Sequence, residues 1–476
     1  MCRKITLLIG IITLAGCLPM MGIVHAATIK AASCSQAHVQ EAINAASAGD
    51  TVVVPAGRCT WNSSVNIPTG VTLRGAGTGN TVISSSDLIN ISLNDNSWIE
   101  GFEFSNGIAY PGKGAQNWVV KDCNFTNSTP TSVYIDGRGK TEQPTGVYHH
   151  CEFSRFRLVV DSYANATDGS TDWYYPDDLG GIDHVTYIEG CTFWTQGSST
   201  GSVGDGNRGG QMVFRFNTSY GHLQTHGARE DAARGMRKIE WYRNKFIRDR
   251  GAETSKVIAL WIRGGTALMF DNDCDGDEDD CRYVFDSERV YGSHGQCADN
   301  NPFDTDPHPK TGSSFMCRDV LGTGQDTSLS PDPKDGALNA QTYSPAYFWN
   351  NLYEGSTGRV LAVNSAENYI IEGREYFLDA SLDGSFGNGG VTTGLWANRP
   401  TCNASKKYHG YWATDKGGDW NSTDEWNGDD GALYVCDGID TWNLYYTPAP
   451  YPHPLVQARG SREAPLPPTG LTVKER

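Results

Sequence analysis

Cationic and anionic side chains crowd the stretch between Asp205 and Arg263: Asp205, Arg208, Arg215, His222, His226, Arg229, Glu230, Asp231, Arg234, Arg237, Lys238, Arg243 and Arg263. The excess of positive groups here stands against a whole-chain net charge of -17. If His226, Arg229 and Arg234 face one cleft with Arg263, they neutralise the carboxylate of a uronate sugar. Neutralisation acidifies the adjacent ring proton, and a base can then remove it in a β-elimination. His226 is the base most easily defended, because arginine holds its proton too tightly. Arg208, His222 and Arg237 are further candidates to hold substrate. Tyr174 and Tyr175, in the acidic, aromatic insertion 161–181, offer rings that could stack on sugars or pack on the scaffold. The competing reading of the charged stretch is a hydrated insertion in which Glu230 and Asp231 pair with arginines.

A second constellation, DNDCDGDEDDC at 271–281, has the spacing of hard oxygen donors. Asp271, Asp273, Asp275 and Asp279, with Gly276 at the turn, match the first part of a calcium loop, D-x-D-x-D-G-x-x-D. The glutamate that would close such a loop is absent, since Arg282 stands there. Structural calcium, a solvated acidic loop and catalytic calcium remain as readings, in that order.

The elements that would position these groups announce themselves by repetition. WIEGFEF, WVVKDCNF, TGVYHHCEF, VTYIEGCTF, VFRFNTSY, IEWYRNKF and MFDNDC are short apolar/polar alternations. They close at Phe104, Phe125, Phe153, Phe193, Tyr220, Phe246 and Cys274, with steps of 21, 28, 40, 27, 26 and 28 residues. Such a period is one coil of a parallel β-solenoid with loops of variable size. Cys123, Cys151 and Cys191 each fall two residues before a closing phenylalanine, which predicts an inward ladder of small apolar side chains. Asn217, Asn244, Asn272 and Asn351 sit in or beside the closing turns, where their amides can satisfy tight backbone bends.

The N-terminus carries Arg3 and Lys4 before ITLLIGIITLAG, a signal-peptide pattern over residues 1–26. Export to the periplasm or medium follows, with lipid anchoring through Cys17 of LAGC as the alternative. Residues 27–455 form the repeat domain, irregular from about 366, and 456–476 read as a proline-containing tail. Eleven cysteines follow residue 26, and the sequence-local pairings are Cys34 with Cys59, Cys274 with Cys281, Cys297 with Cys317, and Cys402 with Cys436. The acidic balance argues against nucleic acid as partner, because phosphate binding needs concentrated lysine and arginine. In 396–455, dense in aromatic residues, Trp412, Trp420 and Trp426 either bury the solenoid's end or form a sugar-stacking surface.

The segment SCSQAHVQEAINAASAGDTVVVPAGRCTW has a helical pattern over Ala37–Ala46 and a strand over Thr51–Val54; its AINAASAGDTVVVPAG is followed by IPTGVTLRGAG. Together these resemble the N-terminal cap and first coils of the pectate lyase-like superfamily. The resemblance implies an all-β, right-handed, single-stranded parallel β-helix with an N-terminal capping helix and an elaborated C-terminal cap, over roughly residues 35–450. IDH in GGIDHVTYIEG is similar to part of that family's WIDH signature, which makes Asp183 a further calcium candidate, although Gly181 replaces the tryptophan. The pectin hydrolases of this fold carry paired aspartates with GHG and RIK elements; this chain has SHGQ at 293–296 and no RIK. The expectation is cleavage of an acidic extracellular polysaccharide by elimination. A noncatalytic glycan-binding or adhesion protein and a glycoside hydrolase are the alternatives.

Overall fold

The computed structural model describes residues 26–137, 143–161, 173, 177–195, 202–227, 235–247, 258–275, 281–286, 319, 321–326, 341–353, 361–364, 372–379, 389–422 and 429–460. The chain winds as a right-handed parallel β-helix. A 12-stranded sheet collects one short strand from each coil, among them Thr145–His149, Thr186–Glu189, Gln211–Arg215 and Lys238–Tyr242. After a tight turn the chain enters a 16-stranded sheet, which bends within each coil, as at Asn106 and Arg155 with φ of 60° and 65°. Every coil therefore presents two faces of this second sheet and one of the first.

The turn between the sheets is built the same way in eight coils. Gly101, Asp122, His150, Gly190, Phe216, Arg243, Asp271 and Asn350 all take positive φ, between 49° and 74°. Left-handed backbone costs a non-glycine residue free energy, and the residue that follows helps hold it in place. Cys123, Cys151 and Cys191 are free, buried and stacked, as the spacing predicts. The column then continues as asparagine: the Cys191 N–H donates to Asn217 Oδ1 at 2.8 Å, and the Asn217 N–H to Asn244 Oδ1 at 3.0 Å. Asn244 and Asn272 repeat the bond to Asn272 and Asn351 in turn. Each asparagine side chain also donates to a carbonyl of the preceding coil, so its buried amide has a partner.

Inside, Phe104, Phe125, Phe153 and Phe193 stack with centroids 5.6, 5.3 and 4.9 Å apart. The next position in this column is Ser219, which pairs with Phe193 and Phe246, and not Tyr220. Tyr220 is displaced by one residue and lies on Trp194 at 4.0 Å. A one-residue step turns a side chain to the other face of a strand.

The helix Gln36–Ala45, capped by Ser35, covers the N-terminal end. Of the two readings for 396–455, burial is the one its described residues show: Trp412, Trp420, Leu433 and Tyr446 pack against the outer side chains of the first sheet. Trp412 is 5.1 Å from Phe270 and Trp420 is 5.8 Å from Tyr242, both in a buried cluster. Neither tryptophan is available as a sugar platform, and Trp426 lies outside the described residues. The pairs Cys34–Cys59 and Cys402–Cys436 are disulfides. Cys274 is also disulfide-bonded; Cys297 and Cys317 lie outside the described residues. No helix among the described residues is long and apolar enough to cross a membrane.

Candidate active site on the second sheet

Along the second half of each coil, alternate residues point inward and outward. Ile135, Leu158, Val160, Leu223, Leu260 and Ile262 belong to the core, which leaves their neighbours on the outer face. Register aligns Tyr134, Val159, Asp205, Gln224 and Trp261 in one outer row. Two residues further on, Asp136, Asp161 and Asn207 align. His226 and Arg263 continue that row, as the His226 N–H bond to Gly206 O and the Arg263 N–H bond to Thr225 Oγ1 place them. The result is a polar stripe across five coils.

Asp205 is the stripe's centre. It receives hydrogen bonds from Gln224 Nε2 at 2.8 Å and His226 Nε2 at 3.3 Å, with Arg157 at 3.6 Å. Burial pushes its carboxyl up, but His226, Gln224 and Arg157 outweigh that and hold it below the usual range. Asp161, fully buried, receives Arg208 Nη1 at 2.8 Å. Arg263 lies over the Trp261 ring at 5.0 Å, and His222 packs 5.5 Å from the same ring. Four of the residues named from sequence, Arg208, His222, His226 and Arg263, thus gather on this face.

The others fall elsewhere. Arg229, Arg234, Tyr174, Tyr175 and Asp279 lie outside the described residues. Arg237 is buried in the turn before the first-sheet strand Lys238–Tyr242 and donates to Asp177 Oδ1 at 2.8 Å. It anchors the 177–181 loop together with Lys238, whose Nζ donates to Asp178 O. Asp183 is exposed on the turn leading into the first-sheet strand Thr186–Glu189, away from the stripe on the second sheet. Asp136, Asp161 and Arg157 are the residues that the sequence reading missed. Their outward alternation in TSVYID and RLVVD carried the signal.

The acidic stretch at 271–275 runs through one interior turn and then extends as the strand Asp273–Asp275. Asp271 faces Arg243 at 3.6 Å, while Asp273 stands in register with Lys245. Residues 276–280 of that loop, Asp279 among them, lie outside the described residues. Among the described residues, the grouping of metal-ligand types is Cys402, Cys436 and Asp437. Its two sulfurs are joined to each other, which removes them as thiolate ligands.

No family model matches the chain, and no curated protein matches it. Among solved structures, the catalytic domain of a GH87 alpha-1,3-glucanase variant in complex with tetrasaccharides aligns with 12% identity and a TM-score of 0.35. The alignment covers 76% of this chain and 68% of that one. The same catalytic domain in complex with nigerose aligns over the same shares with 15% identity and a TM-score of 0.29. Likenesses of this size carry no argument about substrate or reaction.

Proposed function

We propose that the chain is a polysaccharide-active enzyme, and that its reaction is glycoside hydrolysis at the stripe around Asp161, Asp205 and His226. The observation that carries this reading is the placement of two buried carboxylates on one outward face of adjacent coils. Asp205 and Asp161 are offset by one coil and two residues. Strand spacing and rise then put them on the order of 8 Å apart, a separation suited to an acid and a base with a water between. Asp205, held ionised, takes the base role, oriented by His226. Asp161, bonded by Arg208 Nη1 at 2.8 Å, takes the acid role.

Elimination fits this face less well than hydrolysis. Arg157 and Arg208, two cations that would neutralise a uronate, already face Asp205 and Asp161. The resemblance to the pectate lyase-like superfamily rests on the cap motif, and it leaves the chemistry open. Export, in the proposed setting, brings the enzyme to extracellular glycans.

The test is a panel of neutral and uronate-containing polysaccharides assayed for new reducing ends and for the ultraviolet absorbance of unsaturated products. New reducing ends without that absorbance, lost in Asp205→Asn and Asp161→Asn variants that remain folded, are the expected result. Unsaturated product, or cleavage unaffected by both substitutions, overturns the proposal. Retention of a glycan with no cleavage at all moves the chain to the binding class.

A further inference from the structure

Upstream of the stripe the second sheet contains a gap. The strands Glu103–Pro111 and Asn124–Asp136 belong to neighbouring coils, yet their pairing stops at Ser105 and Thr126. Beyond that point each strand pairs only away from the other: Gly107–Pro111 with Ile89–Leu93, and Thr131–Asp136 with Phe156–Asp161. The interruption is supported from within. Tyr148, buried in the core, donates its hydroxyl to Ala109 O at 3.0 Å. Such an inserted donor satisfies a carbonyl that a neighbouring coil would otherwise bond.

Between the two strands lies a cavity of about 500 Å³, within the ordinary range of roughly 300–1,000 Å³ for small-molecule sites. Its walls combine rings and apolar groups with uncharged hydrogen-bonding groups: Leu88, Tyr110 and Tyr134 stand beside Asn90 and Ser132. Tyr134 is 44% exposed, unusual for a large ring and suited to meeting a ligand. Charge is sparse, with Lys113 and Asp136 as the ionic groups of the lining. Asp136 is also the first member of the polar stripe, so the cavity opens onto the candidate active site.

We infer that this cavity is a binding subsite for neutral hexose units of a polysaccharide chain. A pyranose has an apolar C–H face and an equatorial rim of hydroxyls. Tyr134 and Tyr110 answer the face; Asn90, Ser132 and the backbone groups at the strand edges answer the rim. A uronate would bring its carboxylate toward Asp136, with Lys113 in the lining to offset it, while Arg157, which donates to Ser132 Oγ at 3.0 Å, already faces Asp205. The inference deepens the proposed function by naming the sugar class, and the location of the subsite rests on the reading of the stripe as the active site.

The experiment is calorimetric titration of the full chain and of its Asp205→Asn variant with gluco-, manno- and galacto-tetraoses and with tetragalacturonate. At least one neutral tetramer binds both proteins, and tetragalacturonate binds more weakly. Tyr134→Ala raises Kd about tenfold, the loss of one stacking contact, and Ser132→Trp, which fills the cavity, abolishes binding; both retain the parent unfolding transition. Failure of every neutral tetramer to bind, preference for tetragalacturonate, or an unchanged Kd in both variants overturns the inference. Neutral-tetramer binding sensitive to Tyr134 in a protein that hydrolyses nothing leaves this inference standing and defeats the hydrolase reading alone. Hydrolysis that is indifferent to both variants does the reverse.

Discussion

Replacing Arg215 with methionine tests whether the flank of the first sheet is held by a buried ionic network. The guanidinium is fully buried and donates to Glu189 Oε2 at 2.9 and 2.6 Å, to Tyr242 Oη at 2.9 Å, to Ala449 O at 2.6 Å and to Pro450 O at 2.8 Å. Glu189 Oε1 accepts from His149 Nδ1 at 2.8 Å and from the His453 N–H at 2.9 Å. One side chain therefore ties a β-helix coil to the C-terminal segment through two carbonyls and a shared carboxylate. Methionine fills similar volume but leaves Glu189 buried without its cation, a defect that costs about 3–5 kcal/mol. Urea unfolding monitored by tryptophan fluorescence should show that loss, and limited proteolysis should release the segment after residue 389 far faster than from the parent. Arg215→Met combined with Glu189→Gln removes the stranded charge and should recover at least half of the loss. A single variant within about 1 kcal/mol of the parent, or a double variant no better than the single, refutes the reasoning.

The same network makes the flank acid-labile. Burial, partly opposed by Glu189, holds the His453 imidazole down at about 4 from an ordinary 6.5. A group depressed in this way contributes stability that is complete above 6.5 and lost as pH falls toward 4, roughly 3 kcal/mol in all. His453→Gln should flatten that part of the stability profile. Burial pushes Glu189 up, but Arg215 and His149 outweigh it and bring the carboxyl to about 2, so its contribution goes in the next window, from 4.5 down toward 2. In the asparagine ladder, Asn244→Ala leaves Phe214 O and the Asn217 N–H without their partner, while Asn272 Oδ1 keeps the backbone N–H of residue 244. At about 1–3 kcal/mol for each buried orphan, denaturation should report a loss of at least about 2 kcal/mol. At the stripe, Asp205→Asn should lower kcat by a factor of about 100 or more with KM little changed. If the carboxylate spacing governs the reaction, proton NMR of the first product should show inversion at the anomeric carbon; retention would break that link.

The sequence makes the scaffold legible because one half of each coil keeps its spacing. From the left-handed turn to the closing core residue the distance is constant, so Cys123, Cys151 and Cys191 align by eye and the asparagine column follows in the same register. The site belongs to the other half. Between the core column and the stripe, the chain takes 11 residues from Phe125 to Asp136, 8 from Phe153 to Asp161, 14 from Phe193 to Asn207, 7 from Ser219 to His226 and 17 from Phe246 to Arg263. Variable loops on that side erase the period, and one residue of slip reverses which alternation faces out. Composition directed attention to the arginine-rich stretch and so to His226 and Arg263, which lie on the stripe, but it could not tell Arg208 on the open face from Arg237 in a first-sheet turn. Asp136 and Asp161 lay outside that stretch, in strands that read as core.

Charge serves two different ends on the two sheets. On the first, Glu189, Arg215, Lys238 and Glu240 are sealed beneath the C-terminal segment, where each is bonded and the gain is adhesion of that segment to the coils. Sealed charges cannot meet a polymer. On the second sheet, Arg157, Arg208 and His226 remain a fifth to a quarter exposed while their aspartate partners are buried. Such a layered arrangement holds carboxylates in a dry setting and keeps exchangeable partners at the surface, where a substrate can compete for them. That difference in accessibility, more than the number of charges, is the ground for placing the proposed site on the second sheet and not on the first.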